Sequence, residues 1–351
     1  MIEEKIIKKN RLNAMLQELS KEYSIYIPAG ENGDFRFCEL RDTNDELVFW
    51  DYRNTRISPK EILFPHSEIL YEFSRDESHQ FSISQNNDDQ RKMKNVILGI
   101  RPCDARAIGF LDRVFIGEPN ERFVDPYYLK RRIHTIIISL ACNRPQISCF
   151  CTSLNGRPDG EEGADIIAFD IGEEILLKTV TEKGKEFIKE SSKWLGNVKK
   201  SDIDKKNKIF KESAKRINSR VSVEKVKEKL DDSFEADFWN EIHRKCLGCG
   251  ICTFLCSTCH CFDITDETSA DRGKRIKCWD SCMYPLFTLH ASGHNPRPNY
   301  KERMRQRIMH KFNYCPENFK ELFCVGCGRC IRNCPVNLDI REVINQVSQL
   351  K

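Results

Sequence analysis

The chain has 351 residues, 40% hydrophobic and 31% charged, enough for two or three packed domains and unlike a disordered or low-complexity polymer. Its 57 lysines and arginines nearly balance 53 acidic residues, and a net charge of +4 gives no electrostatic argument for nucleic acid. Eighteen cysteines accompany a start that is charged throughout, with neither a signal-peptide core nor any apolar run near the roughly 20 residues of a membrane span; this usage points to a cytoplasmic chain whose thiols bind metal, and away from a membrane.

In chain order, Ile2, Ile6, Leu12, Leu16 and Leu19 recur near helical spacing and predict a helix over residues 2–22. Strand-like runs follow at 24–28, 35–40 and 47–52, then a polar turn at 85–90. Residues 96–100 read as a buried strand, after which Asp104 is placed to cap a helix through 105–114. A second buried strand, 135–140, leads straight into Cys142, and His134 before it reads as a surface or core residue rather than a ligand. Strands at 165–169 and 175–180 and a helix at 182–195 complete an α/β-like domain over residues 1–197. Residues 198–237 are lysine-rich, with Phe210, Ala214, Ile217 and Val221 three to four apart, and predict an amphipathic helical connector with a solvated face. From 238 to 351 cysteine motifs dominate, ending in an amphipathic stretch of Ile340, Val343, Ile344, Val347 and Leu350.

Two near-copies of one pattern carry the chemistry: Cys246-x2-Cys249-x2-Cys252-x3-Cys256, and Cys324-x2-Cys327-x2-Cys330-x3-Cys334 followed by Pro335. This is the bacterial ferredoxin spacing for cubane clusters, in which three close thiolates hold one cube and the fourth ligates the other. The expected wiring is therefore crossed: Cys246, Cys249, Cys252 and Cys334 on one [4Fe–4S] cluster, and Cys324, Cys327, Cys330 and Cys256 on the second. Ser257 stands where proline usually closes the ligand loop. Gly248, Gly250, Gly326 and Gly328 would let backbone amides approach the cluster sulfurs. Zinc is the competing occupant, although structural zinc sites usually take separated C-x2-C pairs. The fold class that follows is α+β, with an α/β-like N-terminal domain and an expanded, mainly helical ferredoxin-type domain holding two [4Fe–4S] clusters.

Two further cysteine groups remain. Cys103 and Cys142 each follow a predicted buried strand; if those strands are neighbours, their carboxyl ends would bring these thiols together with Cys149 and Cys151, where open α/β sheets gather ligands. A third [4Fe–4S] cluster, a zinc site and a redox-active thiol pair are the readings of that set. Between the ferredoxin motifs lie Cys259, Cys261, Cys278 and Cys282, readable as a further metal site or as buried inert thiols. Arg303, Arg305 and Arg307 in a basic stretch would tune a nearby cluster or face an acidic partner.

The sequences Arg101-Pro-Cys-Asp104, Cys142 to Cys149-Phe-Cys151, Cys256-Ser-Thr-Cys-His-Cys261, Trp279-Asp-Ser-Cys282 and Gly293-His-Asn-Pro-Arg-Pro298, with the double motif, resemble one iron–sulfur subunit family. It is shared by sulfhydrogenases, as their β subunit, by anaerobic sulfite reductases, and by flavin oxidoreductase modules that serve heterodisulfide-reductase-like complexes, as their dicluster subunit. Cys278 departs from that family's pattern. The resemblance implies a relay without its own substrate site, between a partner flavoprotein that binds NAD(P)H and FAD and a terminal reductase or hydrogenase. No G-x-G-x-x-G opens a helix after a strand, in keeping with a dinucleotide site elsewhere. A self-contained flavin- or sulfur-dependent oxidoreductase using the N-terminal cysteines, and a structural zinc module, are the alternatives.

Overall fold

The structure, a computed structural model, describes residues 3–31, 33–40, 52–76, 80–84, 94–117 and 123–350. The elements in chain order are β1 (Glu4–Lys8), α1 (Lys9–Leu19), β2 (Tyr23–Glu31), β3 (Asp34–Glu39), β4 (Ser67–Arg75), β5 (Phe81–Ser84), β6 (Lys94–Ile100), α2 (Pro102–Phe115), α3 (Pro126–Ile133) and β7 (Thr135–Leu140). Then come β8 (Ile166–Asp170), β9 (Glu174–Thr179), α4 (Glu182–Glu190), β10 (Gly196–Asn197), α5 (Lys200–Lys215), α6 (Val226–Asp232), α7 (Phe238–Ile242) and α8 (Ile251–Phe254). The chain ends with β11 (Phe262–Ser269), β12 (Arg272–Trp279), α9 (Tyr300–Met309), α10 (Cys315–Phe319), α11 (Arg329–Arg332) and α12 (Ile340–Val347).

An eight-stranded sheet runs in the order β10-β1-β9-β8-β7-β6-β2-β3. Its middle, β2, β6, β7 and β8, is parallel, and its flanks are antiparallel. Parallel strands are covered on both faces, which explains the continuous apolar runs of β6 and β7. Their side chains alternate: Val96, Leu98, Ile136 and Ile138 pack with Leu12, Leu16 and Phe187 on one side, while Ile97, Ile100 and Ile137 meet Ile108, Leu111 and Phe115 of α2 on the other.

The predicted helix over 2–22 is corrected at its start, because β1 occupies residues 4–8 and pairs antiparallel with β9, Ile6 opposite Leu176 and Ile7 opposite Ile175. Adjacent β-branched isoleucines suit a pleated sheet, and that pairing outweighs the helical spacing. The predicted helix over 182–195 ends at Glu190, and a short 3-10 turn at Ser192–Trp194 follows. Of the predicted strand at 47–52, residues 47–51 lie outside the described residues, as does the turn at 85–90. Phe210, Ile217 and Val221 of the lysine-rich stretch are buried, but the helix there stops at Lys215 and a second, α6, follows.

A second sheet, β11-β12-β4-β5, pairs strands from distant parts of the sequence. The β11–β12 hairpin rises from between the two ferredoxin motifs, and β12 lies antiparallel to β4, with Cys278 opposite Ser67. Helices α9 and α12 close the C-terminal core through Met304, Ile308, Val343, Ile344 and Val347 around Trp239.

Candidate iron–sulfur centres

The two ferredoxin motifs fold alike. In each, the glycines of C-x-G-C-G take positive φ: Gly248 at 66° and Gly250 at 75°, Gly326 at 65° and Gly328 at 72°. The second glycine of each pair begins a short helix, α8 or α11. Side chains other than glycine rarely tolerate this backbone.

Cys246, Cys249, Cys252 and Cys334 line one cavity, walled by Met283, Met304 and Ile308, with Cys330 at its edge. The Gly248 amide donates to Cys246 Sγ at 3.4 Å and the Leu338 amide to Cys334 Sγ at 3.2 Å, bonds that favour anionic sulfur. Cys324, Cys327, Cys330 and Cys256 form the neighbouring set, each close enough to feel others electrostatically. Burial pushes the Cys324 thiol up to about 11 and Cys330 well up. The hydrogen bond from Cys259, with Lys311 and Arg307 nearby, holds Cys256 well below the ordinary thiol range against its burial.

Lys311 and Arg307 are both buried. Lys311 Nζ donates to Cys256 Sγ at 3.2 Å, Thr258 Oγ1 at 2.8 Å and the Phe323 carbonyl at 3.1 Å. Arg307 lies 3.7 Å from Cys259 Sγ. A buried cation needs an anion, and the sulfurs stand where a carboxylate would otherwise be expected.

Cys103, Cys142, Cys149 and Cys151 line a further cavity together with Cys327. Strands β6 and β7 are parallel neighbours, so Cys103, in the first turn of α2, and Cys142, just past β7, leave the sheet side by side. Burial raises all four thiols, Cys149 to about 11 and Cys151 to about 12. Their loop presses on the second motif: the Phe150 amide donates to the Gly326 carbonyl at 2.9 Å, and a Cβ on Gly326 would stand 2.5 Å from the Cys151 nitrogen. Cys327 thus walls the third cavity and Cys330 the first, leaving the Cys324 set between them.

These all-cysteine sets, with amide donors aimed at sulfur and two buried cations beside them, suit the thiolate chemistry of cubane clusters. Among the described residues, no three His, Cys, Asp or Glu side chains are brought together as a site for a single metal ion.

Of the remaining cysteines, Cys261 and Cys282 hydrogen-bond each other, and Cys259 bonds to Cys256. Cys278 lies apart on β12, 3.5 Å from the Ser67 hydroxyl. Cys282→Ser is expected to leave total iron unchanged. Loss of about four irons per chain, one cubane's worth, would instead make Cys259, Cys261 and Cys282 ligands.

The docking expectation for the basic stretch is corrected. Arg303 and Arg307 are each 4% exposed; Arg303 donates to the carbonyls of Arg297 and Pro298, and Arg305 pairs with Glu235 at 3.1 Å and covers the Phe234 ring. Arg303 and Arg305 hold loops together, and Arg307 stands beside the Cys259 sulfur. His134 caps α3 through a 2.7 Å contact with the Lys130 carbonyl.

A buried ion pair beside the clusters has no counterpart among the sequence expectations. Asp104 does not cap α2, whose N-cap is Arg101; it lies in the first turn, where the helix dipole favours a carboxylate, and pairs with fully buried Arg329 of the second motif. The pair is bidentate, at 2.5 and 2.7 Å. Arg329 also donates to Ser257 Oγ at 3.0 Å and the Thr55 carbonyl at 2.8 Å. Ser257 in turn donates to Asp104 at 2.5 Å. The missing proline of the first motif is thereby explained, since its position needs a hydroxyl. That departure from pattern was the available signal.

Burial also depresses His260, to about 4, and His310, to about 3, their rings 5.2 Å apart. Both folded values lie below the roughly 6.5 of an unfolded histidine, so this stability is full above pH 6.5 and falls as pH drops. By pH 5 each ring should cost about 2 kcal/mol, before most carboxylates titrate. Urea unfolding between pH 7 and 5 measures it; a flat profile would mean that the folded chain accepts both protons freely.

Residues 245–338 match the family model of the 4Fe–4S dicluster domain. Over 326 residues the chain is 31% identical to sulfhydrogenase 2 subunit beta of Pyrococcus furiosus, an alignment covering 93% of this chain and 92% of that relative. Among the described residues no helix is long and apolar enough to cross a membrane. The ferredoxin geometry and this near-complete alignment agree, and the chain belongs to the iron–sulfur electron-transfer subunit family that includes the sulfhydrogenase β subunits.

Proposed function

We propose that the chain is a non-catalytic relay in a cytoplasmic complex, passing electrons between an NAD(P)H-oxidising flavoprotein that holds FAD and a terminal reductase or hydrogenase. The observation that carries this reading is the order of the cysteine sets: the first shares a cavity wall with the second through Cys330, and the second with the third through Cys327. Three adjoining cluster sites make a path across the protein, from the ferredoxin motifs to the carboxyl edge of the large sheet. The relative's name, a subunit of a sulfhydrogenase, supports a hydrogenase-type partner.

The test is iron, sulfide and zinc per chain on anaerobically purified protein, with EPR of the reduced form. About twelve irons are expected, four for each set. About eight would remove the N-terminal set from the relay, and zinc without iron would defeat the reading.

One observation favours a second reading. A cavity of about 270 Å³ adjoins Cys103 and Cys151; its lining pairs Arg106 with Glu162 and Arg157 with Asp159 and adds Glu161, a polar pocket with room for a small substrate beside the third set. Flavin absorbance or sulfur-substrate turnover by the isolated chain would establish that alternative.

A further inference from the structure

We infer that the face around Cys249 is a docking site for an electron-carrier protein with an acidic rim, an assignment that rests on the relay reading above. Cys249 is the exposed member of its set. Around it stand Leu247, 60% exposed, and, on the adjoining segments, Leu286 at 74%, Leu289 at 47% and Tyr300 at 46%. Glycine contacts join these segments to the cluster loop: a Cβ on Gly248 would lie 3.0 Å from Tyr300 Cδ1, and one on Gly250 would lie 2.8 Å from the Tyr284 hydroxyl. Leu286 and Leu289 lie two and five residues after Tyr284.

The charge is one-sided. Residues 242–262 and 281–301 contain no aspartate or glutamate, carboxylates being confined to the flanking Glu241, Asp263, Asp280 and Glu302. Those segments carry Arg244, Lys245, Arg297 and Lys301, with His290 and His294 exposed. Arg244 reaches one carboxylate, Glu241, and both side chains of that pair remain mostly in solvent. An apolar centre with a cationic rim is the layout of a protein interface, and the missing carboxylates select an acidic partner. A second copy of this chain would bring the same positive rim and be repelled. The transfer is a single electron, from the partner's reduced cofactor to the oxidised cluster, and neither a bond nor a proton need move.

A flavodoxin hydroquinone, a strongly acidic one-electron donor that becomes the semiquinone, is a suitable probe. Mixed with the full chain under anaerobic conditions, it should bleach the iron–sulfur absorbance at a rate that falls as salt rises. Lys245→Glu/Lys301→Glu should slow that step at least tenfold at low salt and converge with wild type at high salt, with iron content and EPR unchanged. Equal rates and equal salt dependence in a fully loaded variant would overturn the assignment. If the double variant loads poorly, Arg244→Glu at the exposed rim tests the same point, and a rate matching wild type across the salt range would likewise overturn it. A wild-type chain that dithionite reduces but flavodoxin does not would overturn the docking site and leave the relay standing. Clusters that dithionite also leaves oxidised would defeat the relay itself.

Discussion

Arg329→Met is expected to destabilise the folded chain by roughly 3 to 5 kcal/mol, the cost of leaving a buried partner without its counter-charge. Arg329 is fully buried, and its loss strands Asp104, which is 2% exposed, while also removing donors to Thr55 and Ser257. Asp104→Leu/Arg329→Met should recover much of the loss, because an apolar pair leaves no orphaned charge. Anaerobic urea unfolding of the three proteins measures both. A single-variant effect below about 1 kcal/mol would mean that water reaches the pair and that it behaves as a surface bridge. The same substitution should perturb redox behaviour, since Arg329 lies between Cys327 and Cys330 in sequence and Asp104 beside Cys103. A shift in the midpoint potentials of the reduced-state EPR signals would separate that influence from simple loss of stability.

Cys330→Ser is expected to have the largest functional effect. It belongs to the middle set and also edges the first cavity, so its loss should remove about four irons per chain and break the path between the outer sets. Electrons from a donor at one end should then fail to reach an acceptor at the other, while one of the outer EPR signals persists. Unchanged transfer in a variant that has lost this iron would show that the outer sets communicate without the middle one.

The parts of the site that were legible in the sequence were local. Ligand spacing within a motif is fixed by a few backbone turns, so the eight ferredoxin cysteines could be named and their glycines explained. The pairing of Cys103 with Cys142 was legible conditionally, because two short apolar runs each ending near a cysteine place both at one sheet edge if the strands are adjacent, and β6 and β7 are adjacent. Long-range electrostatics was not legible. Arg303 and Arg307 read equally as tuning a nearby cluster or facing an acidic partner; both are buried, and nothing in their spacing separates the two or signals the carbonyl and thiol partners that make burial tolerable. Asp104 read as a cap because helix-start statistics are local, whereas its actual partner is 225 residues away. The start of the chain failed for a similar reason, since the helical spacing of Ile2 and Ile6 carries no information about a strand at 174–179 waiting to pair.

The shared sheet of β4, β5, β11 and β12 bears on the order of events during synthesis. Its closing contact joins Ser67 to Cys278, 211 residues later, so more than three quarters of the chain must leave the ribosome before that sheet can form. Pairings of such long sequence separation are slow, and they hold unpaired strand edges open while they wait. The wall that Cys327 gives the N-terminal cavity arrives later still, although the cavity's own four thiols emerge in the first half of synthesis. Loading of that cavity should therefore be among the last steps of maturation, with the early thiols left to whatever protects them in the interval.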